Sequence, residues 1–202
     1  MLAADRLSAA KLRAALRHST IGREIVVLDE TTSTNDVVLR MANGRAPEGL
    51  VVFAERQTAG RGQRGNVWQS PAGKGLLCSV LLRPNVAVQD SARLVDWAAN
   101  GIAWTIESTF LCQATIKPPN DIHIDGRKVA GVLVEMRAQP DAPHFAVVGI
   151  GVNVNQTPRQ FPEELRERAI SLAIVLGGPI ERNTLAIALL RNLDRSYREG
   201  FS

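Results

Sequence analysis

Residues 51–84 read VVFAERQTAGRGQRGNVWQSPAGKGLLCSVLLRP, and how this stretch is parsed decides the fold. Leu50 to Ala54 is an apolar run of strand length with β-branched residues, and Leu76 to Leu82 is a second. Between them Gly60, Gly62, Gly65, Gly73 and Gly75 are interspersed with Arg56, Arg61, Arg64 and Lys74. Two strands holding a glycine-rich cationic loop suit an anion. Glycine lets backbone approach a ligand closely, and arginine offers a planar donor fork to carboxylate or phosphate. The loop alone leaves a second reading open, a mobile surface segment with solvated charges.

Gly60 to Gly65 spells G-x-G-x-x-G, but the dinucleotide-binding version needs a strand running straight into the first glycine and a helix leaving the last. Here Glu55 to Ala59 intervene before it, and Pro71 and Gly73 stand where the helix would run. Lys74 fails as a P-loop lysine, because Trp68 occupies the place of the first glycine and Gly75 that of Ser or Thr.

A length of 202 residues, 45% hydrophobic and 22% charged, is that of an ordinary globular domain, expected to span 1–202 as one unit. No apolar stretch approaches a membrane span, and the N-terminal segment, with Asp5, Arg6 and Lys11, lacks the apolar core of a signal peptide, which points to the cytoplasm. Cys78 and Cys112 read as buried free thiols. A net charge of +4 would permit nucleic-acid binding, but the basic residues are spread out and a small anionic ligand accounts for them as well.

Along the chain, Ala3 to His18 reads as an amphipathic helix and Glu24 to Leu28 as a strand. Thr31 to Asp36 opens a second helix, with Ser33 and Asp36 at capping-box spacing and Gly44 as its C-cap. That polar run either caps the helix or also holds a ligand. A long helix is expected from about Asp90 to Phe110, with Trp97 and Trp104 as packing residues. Thr115 to Lys117, Ile122 to Ile124 and Lys128 to Met136 read as strands, the last two joined by an Asp125-Gly126 turn. His123 reads as solvent-facing. No metal-ligand spacing is present. Phe145 to Val154 is another strand, Pro162 to Leu176 a helix, and Asn183 the cap of a last helix to about Glu199. Consecutive strands with helices inserted in blocks argue an α+β fold with a mixed, largely antiparallel sheet.

Four blocks together resemble the biotin–protein ligases: Ser33-Thr34-Asn35; Gln57-Thr-Ala-Gly60-Arg-Gly-Gln-Arg-Gly-Asn-Val-Trp68; Lys117-Pro-Pro-Asn120-Asp121 with Lys128-Val-Ala-Gly131-Val-Leu-Val-Glu135; and Gly149-Ile-Gly-Val-Asn153. The resemblance runs from about Glu24 onward. It implies a catalytic domain like that of class II aminoacyl-tRNA synthetases and biotin ligases, and a two-step reaction. Biotin is adenylated by ATP with Mg2+, giving biotinyl-5′-AMP, and the biotinyl group passes to a lysine of a biotin carboxyl carrier protein. It also implies roles. Lys117 and Arg61 would be catalytic cations. Biotin would meet Ser33, Thr34, Asn35, Gln57, Gly60, Arg61, Gly62, Gln63, Trp68, Lys117 and Gly131. ATP would meet Arg61, Arg64, Trp68, Lys117, Asn120, Gly149 and Asn153. No resident metal, DNA or membrane partner is implied, and a monomer or weak homodimer is expected.

Three departures stand out. Pro118 replaces the tryptophan of the family's K-W-P-N-D, Gln63 replaces a second loop arginine, and neither the small β-barrel nor the helix-turn-helix domain of some relatives is expected. Lipoate or octanoate ligases are the enzymatic alternative, and a non-catalytic biotin or biotinyl-AMP binding protein is the other.

Overall fold

A computed structural model describes residues 5–44, 46–138 and 144–201. One seven-stranded sheet organises them, in the order β1-β2-β3-β7-β6-β5-β4. The strands are β1 (Glu24–Thr31), β2 (Leu50–Gln57), β3 (Gly75–Leu82), β4 (Thr115–Lys117), β5 (Asp121–Ile124), β6 (Arg127–Arg137) and β7 (Phe145–Asn153). Only the β1–β2 pair is parallel. It needs a crossover, which α2 (Thr34–Asn43) supplies. The mixed, mostly antiparallel sheet is the expected one.

β3 lies between β2 and β7 and is buried at every position, which is why Gly75–Leu82 is an almost unbroken apolar run. Against one face pack α1 (Ala9–Leu16), α3 (Ala92–Phe110) and α5 (Arg182–Gly200), through residues such as Leu12, Ile102, Ile106 and Leu189. The apolar face of α3, with Leu94, Val95, Ala98, Ile102 and Ile106, is buried. The other face carries a smaller cluster in which Val38 and Ala42 of α2 meet Val52, Leu81 and Val147. Beyond that cluster the same face is lined by glycines, and an open trough results.

Several local expectations give way to tertiary contacts. Ala3 and Ala4 lie outside the described residues, and α1 begins only at Ala9, capped by Ser8. The segment before it is extended because Asp5 binds the fully buried Arg182, whose Nη1 also meets Glu55 Oε2 at 2.8 Å. Asn183 therefore does not cap α5. It accepts the Ser8 N–H at 2.8 Å, while Glu181 caps the helix at Thr184. Pro162 to Leu176 is not one helix either. Lys128 donates its N–H to the Arg168 carbonyl and accepts from the Ile170 N–H, which holds residues 168–170 beside β6 and leaves only α4 (Leu172–Leu176). A strand-edge pairing has overridden helical periodicity. Trp97 is buried, but Trp104 is 45% exposed under the Arg195 guanidinium. Cys78 is buried and Cys112 only partly so. Gly44 ends α2 at φ −83°, without the left-handed turn, whereas Asp125 and Gly126 both take positive φ in the expected hairpin turn. Among the described residues no helix is long and apolar enough to cross a membrane.

Candidate active site

The trough follows from pairing register. One row across the sheet is Leu77–Gly151–Gly131–Asp121–Lys117, and the next is Ser79–Gly149–Leu133. Paired residues point to one face, so three glycines here leave out side chains over a patch of floor. A Cβ on Gly151 would lie 2.5 Å from Trp68 Cε2, and one on Gly149 would collide with the Asn35 amide. The indole and the amide occupy that space instead.

At the closed end, Ser79 of β3 meets Thr34 Oγ1 at 2.6 Å and Asn35 Oδ1 at 2.5 Å. The Gln57 carbonyl oxygen accepts from the Thr34 N–H at 2.7 Å and faces the Thr34 hydroxyl at 3.0 Å. Two hydroxyl protons serve three oxygen contacts, so one position stays open to a ligand donor. Asn35 Nδ2 donates to Glu135 at 2.8 Å, and Glu135 shares Arg61 with Asp36, at 3.1 and 2.7 Å. The hydrogen bond that Arg61 donates to Asp36, then the one it donates to Glu135 and the charges of both carboxylates, hold Arg61 in its charged form against the opposing effect of burial. Ser33 stands at the N-cap position of α2 but makes no side-chain capping bond, and Asp36 is taken up by Arg61. The ligand reading of that polar run thus gains over the capping one.

Trp68 and Lys128 stand where this small cavity, about 40 Å³, meets a broad cleft of about 1090 Å³. Lys128 Nζ lies 2.7 Å from Asp121 Oδ1 and 5.5 Å from the Trp68 ring centroid. A bulge puts it there. Pairing slips between Ile122 and His123, so Val129 turns into the core while Lys128 joins the glycine face. The Arg61–Val67 bridge closes residues 60–68 into a narrow hairpin, with Trp68 N–H on the Gly60 carbonyl at 2.9 Å. Gly60 is required there, since a Cβ would sit 2.5 Å from the Trp68 carbonyl oxygen.

Ser33, Thr34, Asn35, Gln57, Arg61, Gly62, Trp68, Asn120, Gly131 and Gly149 all line the cavity. Asn120 does so with its amide committed to the Val132 carbonyl at 2.8 Å. Gly60, Lys117 and Asn153 line the cleft instead, and Lys117 is exposed on the edge strand. Gln63 and Arg64 line neither. Arg64 sits at the hairpin tip with φ 56°. His123 is not solvent-facing as expected. It lines the cleft, its Nδ1 is 3.0 Å from the Gly126 carbonyl and its Nε2 is buried. Four contributors were missed: Ser79, Lys128, Glu135 and Gln156. Ser79 had a signal, as the one hydroxyl in an apolar strand.

A model of the biotin/lipoate A/B protein ligase family matches residues 27–153. The chain belongs to that family. Over 194 residues it is 38% identical to the bifunctional ligase/repressor BirA of Bacillus subtilis, which covers 96% of this chain and 60% of that one. It is 36% identical over 200 residues to the biotin–[acetyl-CoA-carboxylase] ligase of Mycobacterium tuberculosis, with 94% and 72% covered. The solved biotin protein ligase of Aquifex aeolicus, in complex with biotin and ATP, superposes with a TM-score of 0.72 at 29% identity, covering 88% of this chain and 73% of that one. The chain thus spans about 60% of the length of its Bacillus relative. Within the family's blocks, the glycines of β6 and β7 are the trough floor described above, and the lysine of the K-x-A-G block is Lys128.

Proposed function

We propose that this chain adenylates biotin with ATP and transfers the biotinyl group to a lysine of a carrier protein. The observation that carries the reading is the order of chemistry along the trough. Hydroxyls and amides of Thr34, Ser79 and Gln57 form its closed end, Leu133, the Trp68 indole and the bare backbone of Gly149 and Gly151 its apolar middle, and Lys128 its mouth. That order suits a ureido ring, an apolar ring with an alkyl arm, and a carboxylate. The family and the relatives named for biotin ligation support it.

In the first step a biotin carboxylate oxygen attacks the α-phosphorus and pyrophosphate leaves. Two anions must approach, and the Lys128 ammonium between cavity and cleft offsets their repulsion, with the cleft's Arg168 and Lys117 available to the phosphates. In the second step a neutral carrier amine attacks the acyl carbon, AMP leaves with the bonding pair, and the nitrogen gives up a proton. Neither step needs a protein nucleophile. The Cys78 thiol faces the main core on the other side of β3, and burial pushes it up to about 12, so it stays protonated. Among the described residues no three His, Cys, Asp or Glu side chains gather to hold a metal, so Mg2+ would arrive as counter-ion of the nucleotide substrate.

Lipoate is the less favoured substrate, because its dithiolane would leave the hydroxyl and amide end of the trough unmatched. Biotin-dependent exchange of pyrophosphate into ATP tests the proposal. Exchange with biotin and none with lipoate is expected. Lipoate-supported exchange would move the reading to the rival ligase, and tight biotin binding without exchange would leave a binding protein.

A further inference from the structure

Buried polar atoms in a folded protein are almost always hydrogen-bonded, so each exception calls for an account of what completes it. Among the described residues four side-chain atoms are buried without one: Glu55 Oε2, Trp68 Nε1, His123 Nε2 and Gln156 Oε1. Glu55 is neutralised by Arg182. The other three all line the cleft.

Gln156 is the most informative, because its orientation is fixed from both sides. It is 2% exposed. Its Nε2 lies 3.1 Å from Ser70 Oγ and 3.1 Å from Asn153 Oδ1. Ser70 gives its own proton to the Pro71 carbonyl at 3.3 Å, so toward Gln156 it accepts. Asn153 turns its Nδ2 to the Lys128 carbonyl at 3.5 Å, which leaves Oδ1 facing Gln156. Both amide protons of Gln156 are therefore committed. Its carbonyl oxygen, with two lone pairs, cannot exchange places with the nitrogen. The backbone is held as well, since the Gln156 carbonyl accepts from Ser171 at 2.7 Å. The cleft is lined by the apolar Pro71, Phe161 and Leu165 as well as by Gln156, and its cations are Arg56, Lys117, Lys128, Arg159 and Arg168. An aromatic base suits the apolar side chains and phosphates suit the cations.

We infer that Gln156 is a nucleotide-specificity residue: its fixed carbonyl oxygen accepts a hydrogen bond from the exocyclic amine of an aminopurine. A keto group at that place would set oxygen against oxygen, and a purine without the substituent would leave the acceptor buried and unpaired. The inference rests on the adenylation reading above and adds the group that selects the base.

The test compares biotin-dependent pyrophosphate exchange for ATP, inosine triphosphate, purine riboside triphosphate and 2′-deoxy-ATP. Wild type should favour ATP over the inosine and purine riboside nucleotides by roughly ten- to hundredfold in kcat/KM, the usual penalty of a buried unpaired acceptor. Gln156→Leu should bring those ratios close to one while the KM for biotin stays near its wild-type value. Ser70→Ala, which removes an orienting partner and keeps the oxygen, should retain most of the preference. A wild type indifferent to the amine would overturn the inference. So would a Gln156→Leu enzyme that still prefers ATP, or one whose only altered ratio is ATP to 2′-deoxy-ATP, which would assign the oxygen to the ribose. Absence of exchange with every nucleotide would overturn the adenylation reading itself, and this inference with it.

Discussion

The cavity and the cleft share Gln57, Trp68 and Lys128, yet they are built on opposite plans. Polar side chains at the closed end of the cavity are engaged with one another, from Ser79 through Thr34 and Gln57, and from Asn35 through Glu135 to Arg61. The cleft instead leaves Trp68, His123 and Gln156 each with an unmatched polar atom. Side chains joined to one another hold their shape and take up a ligand group at little cost. Unmatched groups destabilise the unliganded fold and repay that cost only when a complementary molecule arrives. The cavity is thus shaped before binding, and the cleft is completed by it.

The largest expected effect lies at the junction. Lys128→Ala should slow biotin-dependent pyrophosphate exchange by a hundredfold or more, the loss of about 3–4 kcal/mol typical of one charge-stabilising contact. Lys117→Ala should cost less than about tenfold, because an exposed edge lysine acts on the phosphates through solvent-screened charge. Exchange rates of the two variants side by side decide it, and a larger loss at Lys117 would move the catalytic cation back into the cleft.

Next comes the floor. Gly151→Ala drives a methyl into Trp68 and should weaken biotin binding by roughly tenfold, as overpacking of about 1–3 kcal/mol would. Gly131→Ala should be milder, since it first meets the flexible end of Lys128 at 3.2 Å. Titration calorimetry, with indole fluorescence reporting the displaced ring, separates the two; equal losses would mean the indole is not seated on Gly151.

A smaller change is expected in the cavity network. Thr34→Val keeps the shape and removes the hydroxyl, and biotin affinity should fall by about 1–2 kcal/mol. The affinity for ATP, held in the cleft, should not follow; a parallel fall would show that the two regions are not separable.

The smallest expected effect is none. In the folded protein at pH 8, a thiol reagent should leave Cys78 unmodified and react slowly at Cys112, whose thiol burial also pushes up. Both should react after denaturation. Fast labelling of Cys78 would show that the core between the sheet and the helices packed on it opens by itself.

Much of this architecture was legible in the residues. Apolar runs flanking the glycine-rich loop placed β2 and β3, the Asp125-Gly126 turn placed the β5–β6 hairpin, and the ordered blocks brought Thr34, Gln57 and Gly149 to one site. What stayed hidden was set by pairing. Lys128 and Gly131, three residues apart, fall on opposite faces of a regular strand, and only the bulge at Val129 brings them together. Residues 162–176 have helical periodicity, but β6 offers residues 168–170 an unpaired edge, and a local pattern cannot register that offer. Gln156 carries no motif. Its significance comes from where the protons of Ser70 and Asn153 go.

β7 is the last strand to be synthesised and one of the most central. While a ribosome is still translating residues before Phe145, β1 to β3 and β4 to β6 are two separate pieces, each ending in an unpaired and largely apolar edge. Both edges wait for the same nine residues. At about 5–20 residues per second that wait lasts seconds, long enough to make the nascent chain a client for holding chaperones. A ribosome-stalled chain that stops short of β7 should therefore capture no biotin, for Gly149 and Gly151 are two of the three glycines of the floor on which the ligand would rest.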